Sequence, residues 1–288
     1  MSGTTAAQKR QALVRRLAEP RIIPAPGVFD TLSTLLAEQA GFETVFFSGS
    51  AMSYSQLAMP DIGLVTFPEL LSAVDRAAER TAVPIIVDVD SGFGAAPHAA
   101  RLMRSFERAG AAAVQVEDQV LVKPQDRLLS RPIVSIPEMA GKIGAMLDAR
   151  ESSAMLLSAR TDATDPSEAI DRCHAYREAG ADLVFAESLL RAEHVSQLVT
   201  RMGPTVPVVY NTMHDPAASA PELEKLGVRV ALFPGLVLQS AVVGMREALL
   251  RLKRDPSCSG GGKTPLPGQE LQAILGSKAF LEKYEGKA

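Results

Sequence analysis

Along this chain, helical segments repeatedly close on a glycine that leads directly into an apolar run. They end in Glu38-Gln39-Ala40-Gly41, Glu107-Arg108-Ala109-Gly110, Glu178-Ala179-Gly180 and Glu224-Lys225-Leu226-Gly227. Glycine placed just after a helix takes the left-handed conformation without a Cβ penalty. The β-branched run that follows reads as a buried parallel strand. Collecting such runs predicts strands over residues 22–25, 44–47, 84–87, 112–116, 154–158, 182–186, 206–210 and 228–233. Helical spacing fills the gaps, over 67–81, 97–109, 136–149, 169–179, 192–202, 221–226 and 237–252, for example at Leu70, Leu71, Val74 and Ala77.

This alternation predicts an α/β fold, a closed (β/α)8 TIM-type barrel. The rival is an open doubly wound sheet, which usually carries a Gly-rich fingerprint after its first strand. Here the first strand leads into Ala25-Pro26-Gly27-Val28-Phe29-Asp30, which lacks it. The barrel is expected over 1–254. Residues 255–288 are expected to be a flexible Gly/Ser/Pro-rich linker and a C-terminal helix over 269–284. That helix carries Leu271, Ile274, Leu275, Phe280 and Leu281, an apolar stripe that needs a surface on its own barrel or on a neighbouring subunit. The second option implies a homo-oligomer.

Composition narrows the function classes. The 288 residues are 47% hydrophobic and 22% charged, which suits one sizeable core. No apolar run reaches the ~18–20 residues of a membrane span, and the N-terminus lacks a secretory signal. A cytoplasmic protein is expected. A net charge of −3 with no basic stripe argues against nucleic-acid partners. Cys173 and Cys258 have no CxxC or Cys/His spacing, so neither a disulfide framework nor structural zinc is expected.

Catalytic groups in such barrels lie at the C-terminal ends of the strands. The predicted strands end in Ser48-Gly49-Ser50, Asp88-Val89-Asp90, Glu117-Asp118 with Lys123 beyond, Arg160-Thr161-Asp162, Glu187 and Asn211. Each acidic residue alone could simply cap the next helix; their joint placement on one rim argues for a site. Asp88 and Asp90, two apart on an extended backbone, would share a face, and Glu117 could join them. Three oxygen donors without histidine or thiolate suit Mg2+, with Mn2+ as the alternative. The 48–50 segment offers amides and hydroxyls for a carboxylate, and Arg160 a bidentate partner. Together they suit a small carboxylic acid whose neighbouring oxygen gains negative charge, as in an enolate. Among the histidines, His98, His174 and His194 read as surface or packing residues, while His214 is a candidate acid or base.

Phe47-Ser48-Gly49-Ser50, Asp88-Val89-Asp90-Ser91-Gly92-Phe93-Gly94, Val116-Glu117-Asp118-Gln119, Ala159-Arg160-Thr161-Asp162-Ala163 and Glu187 together resemble the isocitrate lyase/phosphoenolpyruvate mutase superfamily. The chain is most similar to its short 2-methylisocitrate lyase branch, over roughly residues 10–255. The resemblance implies Mg2+ near Asp88, Asp90 and Glu117, with Asp61 at a position close to the metal. It implies that Ser48, Gly49, Ser50 and Arg160 bind substrate, and that the C-terminal helix is exchanged within a dimer or tetramer.

Departures from that pattern bear on the reaction. The lyase branch has a Lys-Arg-Cys-Gly-His loop whose cysteine handles the proton; this chain has Lys123-Pro124-Gln125-Asp126-Arg127, and glutamine cannot donate that proton. Gln239 stands where the lyases have a carboxylate-binding arginine. The Asn or Thr arrangement typical of the phosphonate enzymes is also lacking. The expectation is a Mg2+-dependent lyase acting on a small 2-oxo or 2-hydroxy dicarboxylate, with oxaloacetate or a substituted malate favoured over methylisocitrate. Arg160, Glu117, Lys123 and His214 are the candidate catalytic residues, with Asp88, Glu187 and Asn211 in the substrate pocket. The alternatives are phosphonopyruvate hydrolysis or P–C rearrangement, and a barrel that binds without catalysing.

Overall fold

The computed structural model describes residues 3–120, 132–214, 218–257, 266–283 and 285. The elements in chain order are α1 (Ala6–Ala18), β1 (Ile23–Val28), α2 (Thr31–Gln39), β2 (Val45–Phe47), α3 (Gly49–Met52), α4 (Phe67–Arg80), β3 (Ile85–Asp88), α5 (Ala96–Arg108), β4 (Ala113–Glu117), α6 (Ile136–Ala149), β5 (Leu156–Thr161), α7 (Pro166–Glu178), β6 (Leu183–Ala186), α8 (Ala192–Met202), β7 (Val208–Asn211), α9 (Ala220–Lys225), β8 (Val230–Phe233), α10 (Leu236–Arg254), α11 (Gly268–Ile274) and α12 (Ser277–Glu282). The strands pair in parallel in sequence order, and β1 closes on β8. This is the predicted (β/α)8 barrel. The glycines that ended the predicted helices have the expected left-handed backbone: Gly41, Gly110, Gly180 and Gly227 all have φ between +85° and +101°.

Three boundaries differ from expectation for physical reasons. β1 runs on to Val28, because pairing with β8 holds Pro24 opposite Ala231 and Pro26 opposite Phe233 despite the missing N–H groups. β5 reaches Thr161, past the apolar run predicted over 154–158, so Arg160 lies within the strand. The single C-terminal helix expected over 269–284 is two short ones, broken at Gly276 with φ +65°.

Alternation along each strand builds the lumen. Ile23, Ala25, Phe46, Ile86, Ala113, Leu156, Leu183, Phe185, Val209, Val230 and Leu232 form one buried cluster with Leu13 of α1. The intervening residues, such as Val45, Val87, Val114 and Val184, pack outward into clusters with the surrounding helices. Helix α1 closes the N-terminal end. Arg10 donates to the carbonyl of Glu107 at 3.0 Å, Arg16 to those of Arg21 and Ile22 at 2.9 and 2.8 Å, and Lys9 to that of Ala78. Helix α1 thus covers one end of the barrel, and the polar strand ends lie at the other.

The chain divides into two compact units, Ser2–Val237 and Leu238–Ala288. Helix α10 spans that division. Within the second unit Val242, Val243, Met245, Leu249, Leu250 and Leu252 are exposed, as are Phe280 and Leu281. Among the described residues, no helix is long and apolar enough to cross a membrane.

Candidate active site

Polarity rises along the inward face of strands β2 to β7 towards their C-terminal ends. On β4 the inward sequence is Ala113, Gln115, Glu117; on β5 it is Leu156, Ser158, Arg160; on β6 it is Leu183, Phe185, Glu187. Phe46 gives way to Ser48, Ile86 to Asp88 and Val209 to Asn211. These groups open into a cavity of about 510 Å³ lined by Ser48, Ser50, Asp61, Asp88, Gln115, Arg160, Glu187 and Asn211, with Phe46, Phe185 and Leu232 as apolar walls.

Asp88, Asp90 and Glu117 each bring a carboxylate oxygen to within 4.8 Å of the others. The route differs from the expected strand alternation. β3 ends at Asp88, and Asp90 lies beyond it with φ +48°, in the left-handed region. A turn, not an extended backbone, swings Asp90 in, and it is pinned where the Glu117 N–H donates to the Asp90 carbonyl at 2.9 Å. Aspartate tolerates this conformation better than most residues. Lys142 of α6, missed in the sequence, donates to the Ser91 carbonyl at 2.6 Å and braces the same turn. Burial lowers its pKa, and Glu138, Glu117 and Asp118 oppose that shift. Asp61 lines the cavity but stands outside the three-carboxylate group.

Ser48 caps α3, its hydroxyl accepting from the Ala51 N–H at 3.3 Å and lying 3.1 Å from the Ser50 hydroxyl. The Gly49 N–H is not open as expected; it donates to Asp88 at 3.4 Å. A Cβ on Gly49 would meet the Asp88 carboxylate oxygen at 3.3 Å, so glycine is what permits this approach.

Arg160 is buried and held on several sides. Its Nε and Nη2 bond Asp162 at 2.9 and 2.8 Å, Nε lies 3.4 Å from Glu117, and Nη2 lies 3.3 Å from Glu187. Its fork is thus committed to Asp162 and not free for a substrate carboxylate; Nη1 makes none of these bonds. Burial acts to lower its pKa, but Asp162, Glu187 and Glu117 outweigh that and keep the guanidinium charged. The Phe185 ring lies 5.4 Å away and fixes its plane. The Asn211 amide donates to both Glu187 oxygens at 3.3 Å.

Behind this layer lies a second network. Asp118 accepts from Tyr176 Oη at 2.7 Å, the Asp162 N–H at 3.0 Å and Arg172 Nη1 at 3.3 Å. Burial raises the Asp118 pKa, with the hydrogen bonds from Tyr176 and the Asp162 N–H opposing. Gln119 bridges Ile133 in antiparallel fashion, which ties together the two ends of the segment that carries Lys123. Lys123 and Gln125 themselves lie outside the described residues, as does the side chain of His214, whose backbone forms a 3-10 turn over Thr212–His214 at this rim. His98, His174 and His194 do not line the cavity, and Gln239 is exposed on α10.

The chemistry of the site fits a hard divalent cation. Glu117, Asp162 and Glu187 surround the guanidinium of Arg160, and Asp88 and Asp90 join Glu117 on its other side, an excess of negative charge that a cation on Asp88, Asp90 and Glu117 would offset.

The family model described as phosphoenolpyruvate phosphomutase matches residues 14–253. The chain belongs to the phosphoenolpyruvate mutase/isocitrate lyase superfamily. This superfamily enzyme is 34% identical to a 2,3-dimethylmalate lyase of Eubacterium barkeri, over 96% of each chain. It is 38% identical to a 2-methylisocitrate lyase of Aeropyrum pernix, over 82% of this chain and 78% of that one. Phosphonopyruvate hydrolase, solved with oxalate and Mg2+, superposes with a TM-score of 0.88 at 27% identity, covering 96% of this chain and 98% of that one.

Proposed function

We propose that this superfamily enzyme is a Mg2+-dependent carbon–carbon lyase, cleaving or decarboxylating a small 2-oxo or 2-hydroxy dicarboxylic acid through an enolate. The observation that carries the reading is the Asp88, Asp90 and Glu117 group beside a cavity that also presents a charge-locked arginine. These three would hold the ion, with Asp61 close by; Mg2+ bound there supplies Lewis-acid polarisation of a substrate oxygen.

The remaining roles belong to the chain. The Ser48 and Ser50 hydroxyls orient the substrate carboxylate, while the Gly49 N–H holds Asp88 in place. Arg160 Nη1 stabilises the oxygen on which charge accumulates when the C–C electron pair is released, and it needs no reorganisation because Asp162 already fixes it. Asn211 and Glu187 complete the polar wall. Phe46, Phe185 and Leu232 keep bulk water from the nascent carbanion. Lys123 is a candidate catalytic residue, and the proton that quenches the carbanion comes from solvent or from His214, since Gln125 cannot supply it. The lyase names of two relatives support cleavage of a branched hydroxy acid. Exposed apolar side chains on α10 and α12 support a homo-oligomer of this chain, a dimer or tetramer.

A turnover screen with Mg2+ over oxaloacetate, 2,3-dimethylmalate, methylisocitrate and phosphonopyruvate tests this reading. Release of a 2-oxo acid from one of the first three, lost in Asp90→Ala with the fold intact, is the expected result. Turnover of phosphonopyruvate alone, read by phosphorus NMR, would replace it with the hydrolase or mutase reading. Absence of both turnover and thermal stabilisation by Mg2+ plus oxalate would leave a binding barrel.

A further inference from the structure

The floor of the cavity is where the lumen changes from apolar to charged, and one side chain there is in an unusual state. Gln115 is 1% exposed, yet neither its Oε1 nor its Nε2 has a hydrogen-bond partner among the described residues. It lines the cavity, in register with Asp88 on one side and Ser158 on the other. Ser158 is also 1% exposed, and its hydroxyl likewise lacks a partner. Nearby on the cavity wall are Phe46, Phe185 and Leu232, which offer neither donor nor acceptor.

A buried amide left unbonded destabilises a fold, and a methionine of similar length would avoid that cost. The amide at this depth is therefore matched to something other than the protein. Its chemistry differs from that of its neighbours. Asp88 and Glu187 only accept when ionised, and Arg160 only donates, whereas glutamine does both and carries no charge. It suits an oxygen attached to carbon, a hydroxyl or an oxo group, better than a second full negative charge.

We propose that Gln115 is a specificity-determining residue: its amide hydrogen-bonds an oxygen on the substrate's carbon skeleton and so selects oxygen-bearing acids over acids with an alkyl group at that place. This rests on the lyase reading above. As Nε2 turns to the ligand, Ser158 lies on the adjacent strand where its hydroxyl can donate to Oε1. The floor thus reads a hydroxyl or oxo oxygen, while the metal and Arg160 read charge.

Calorimetric titration with oxalate in the presence of Mg2+, and separately with Mg2+ alone, tests the proposal on Gln115→Met. The expected result is oxalate binding weakened about tenfold or more with Mg2+ affinity unchanged, because the hydrogen bond to the oxalate oxygen that stands in for the substrate's oxo oxygen is lost and no metal ligand is touched. The melting temperature without ligands should not fall. Oxalate affinity within about twofold of wild type would overturn the proposal, as would equal weakening of Mg2+ and oxalate. Ser50→Ala separates the two readings. If it weakens oxalate while Gln115→Met does not, the role of Gln115 falls and the lyase reading stands. If the wild-type protein binds no oxalate with Mg2+, both fall.

Discussion

Replacing Asp118 by alanine should cost this barrel much of its stability, although Asp118 touches neither the cavity nor the carboxylate cluster. The substitution removes the acceptor of three donors at once: Tyr176 Oη at 2.7 Å, the Asp162 N–H at 3.0 Å and Arg172 Nη1 at 3.3 Å. Asp118 is fully buried and Arg172 nearly so. Breaking a buried ion pair from one side costs about 3–5 kcal/mol, because the remaining charge is left without its partner. Arg172 keeps Glu168 at 2.8 Å and the Val134 carbonyl at 2.9 Å, which places the loss towards the lower figure. At about 2–4 °C per kcal/mol for a barrel of this size, the melting temperature should fall by roughly 6–15 °C. Thermal denaturation followed by circular dichroism, with urea titration as a check, measures it. Tyr176→Phe, which removes the bond to Asp118 and the one that the hydroxyl accepts from Arg172 Nη1 at 3.2 Å, should cost only about 1–2 kcal/mol. Oxalate affinity should also weaken in Asp118→Ala, since the Asp162 backbone that presents its carboxylate to Arg160 loses its anchor. A melting temperature within about 2 °C of wild type would refute the argument, and so would a Tyr176→Phe loss equal to that of Asp118→Ala.

Three further outcomes follow from the same geometry. Burial raises the Asp118 carboxyl above its ordinary value, so the wild type gives up part of its stability as pH rises through the raised value; that pH dependence should be absent in Asp118→Asn, the difference between the two should shift towards the variant as pH rises, and parallel melting curves would contradict this. A Cβ on Gly27 would lie 2.2 Å from the Pro234 carbonyl oxygen and 2.5 Å from its carbonyl carbon, so Gly27→Ala should destabilise by about 1–3 kcal/mol in urea titration and distort the cavity wall at Pro234. Cys173 is buried and its thiol pushed far up by desolvation and by Asp118, so in a Cys258→Ser background the native protein should resist alkylation that the unfolded protein accepts; rapid native labelling in a thiol assay would refute this.

Much of the architecture was legible in the sequence because its signals are local. A glycine closing a helix, a β-branched run after it and an acidic residue at the strand end each depend on a few neighbouring residues. They predicted the closed barrel and the rim on which Ser48, Asp88, Glu117, Arg160, Glu187 and Asn211 gather. Gln115 was within reach of the same logic, two residues before Glu117 on the inward face, but a lone neutral amide in an apolar run reads as an ordinary strand residue. Helix α1 was passed over because its basic face looks solvated until Arg10 and Arg16 find carbonyls at the barrel floor.

Other features were decided only by the tertiary structure. The alternation argument placed Asp88 and Asp90 together, yet a left-handed turn is what joins them. Arg160 was expected to reach for substrate with its fork, whereas Asp162 occupies two of its nitrogens. Asp118 and Tyr176 stand 58 residues apart in the chain and share one of the shortest side-chain bonds at the site. The physical reason is range. Backbone preference and hydrophobic period act over a few residues, so the sequence alone determined the repeating unit and which residue types reach the mouth. Hydrogen bonds and charge pairing act through space, so which of those groups neutralise each other, and which remain for a metal or a substrate, was fixed only when the barrel closed.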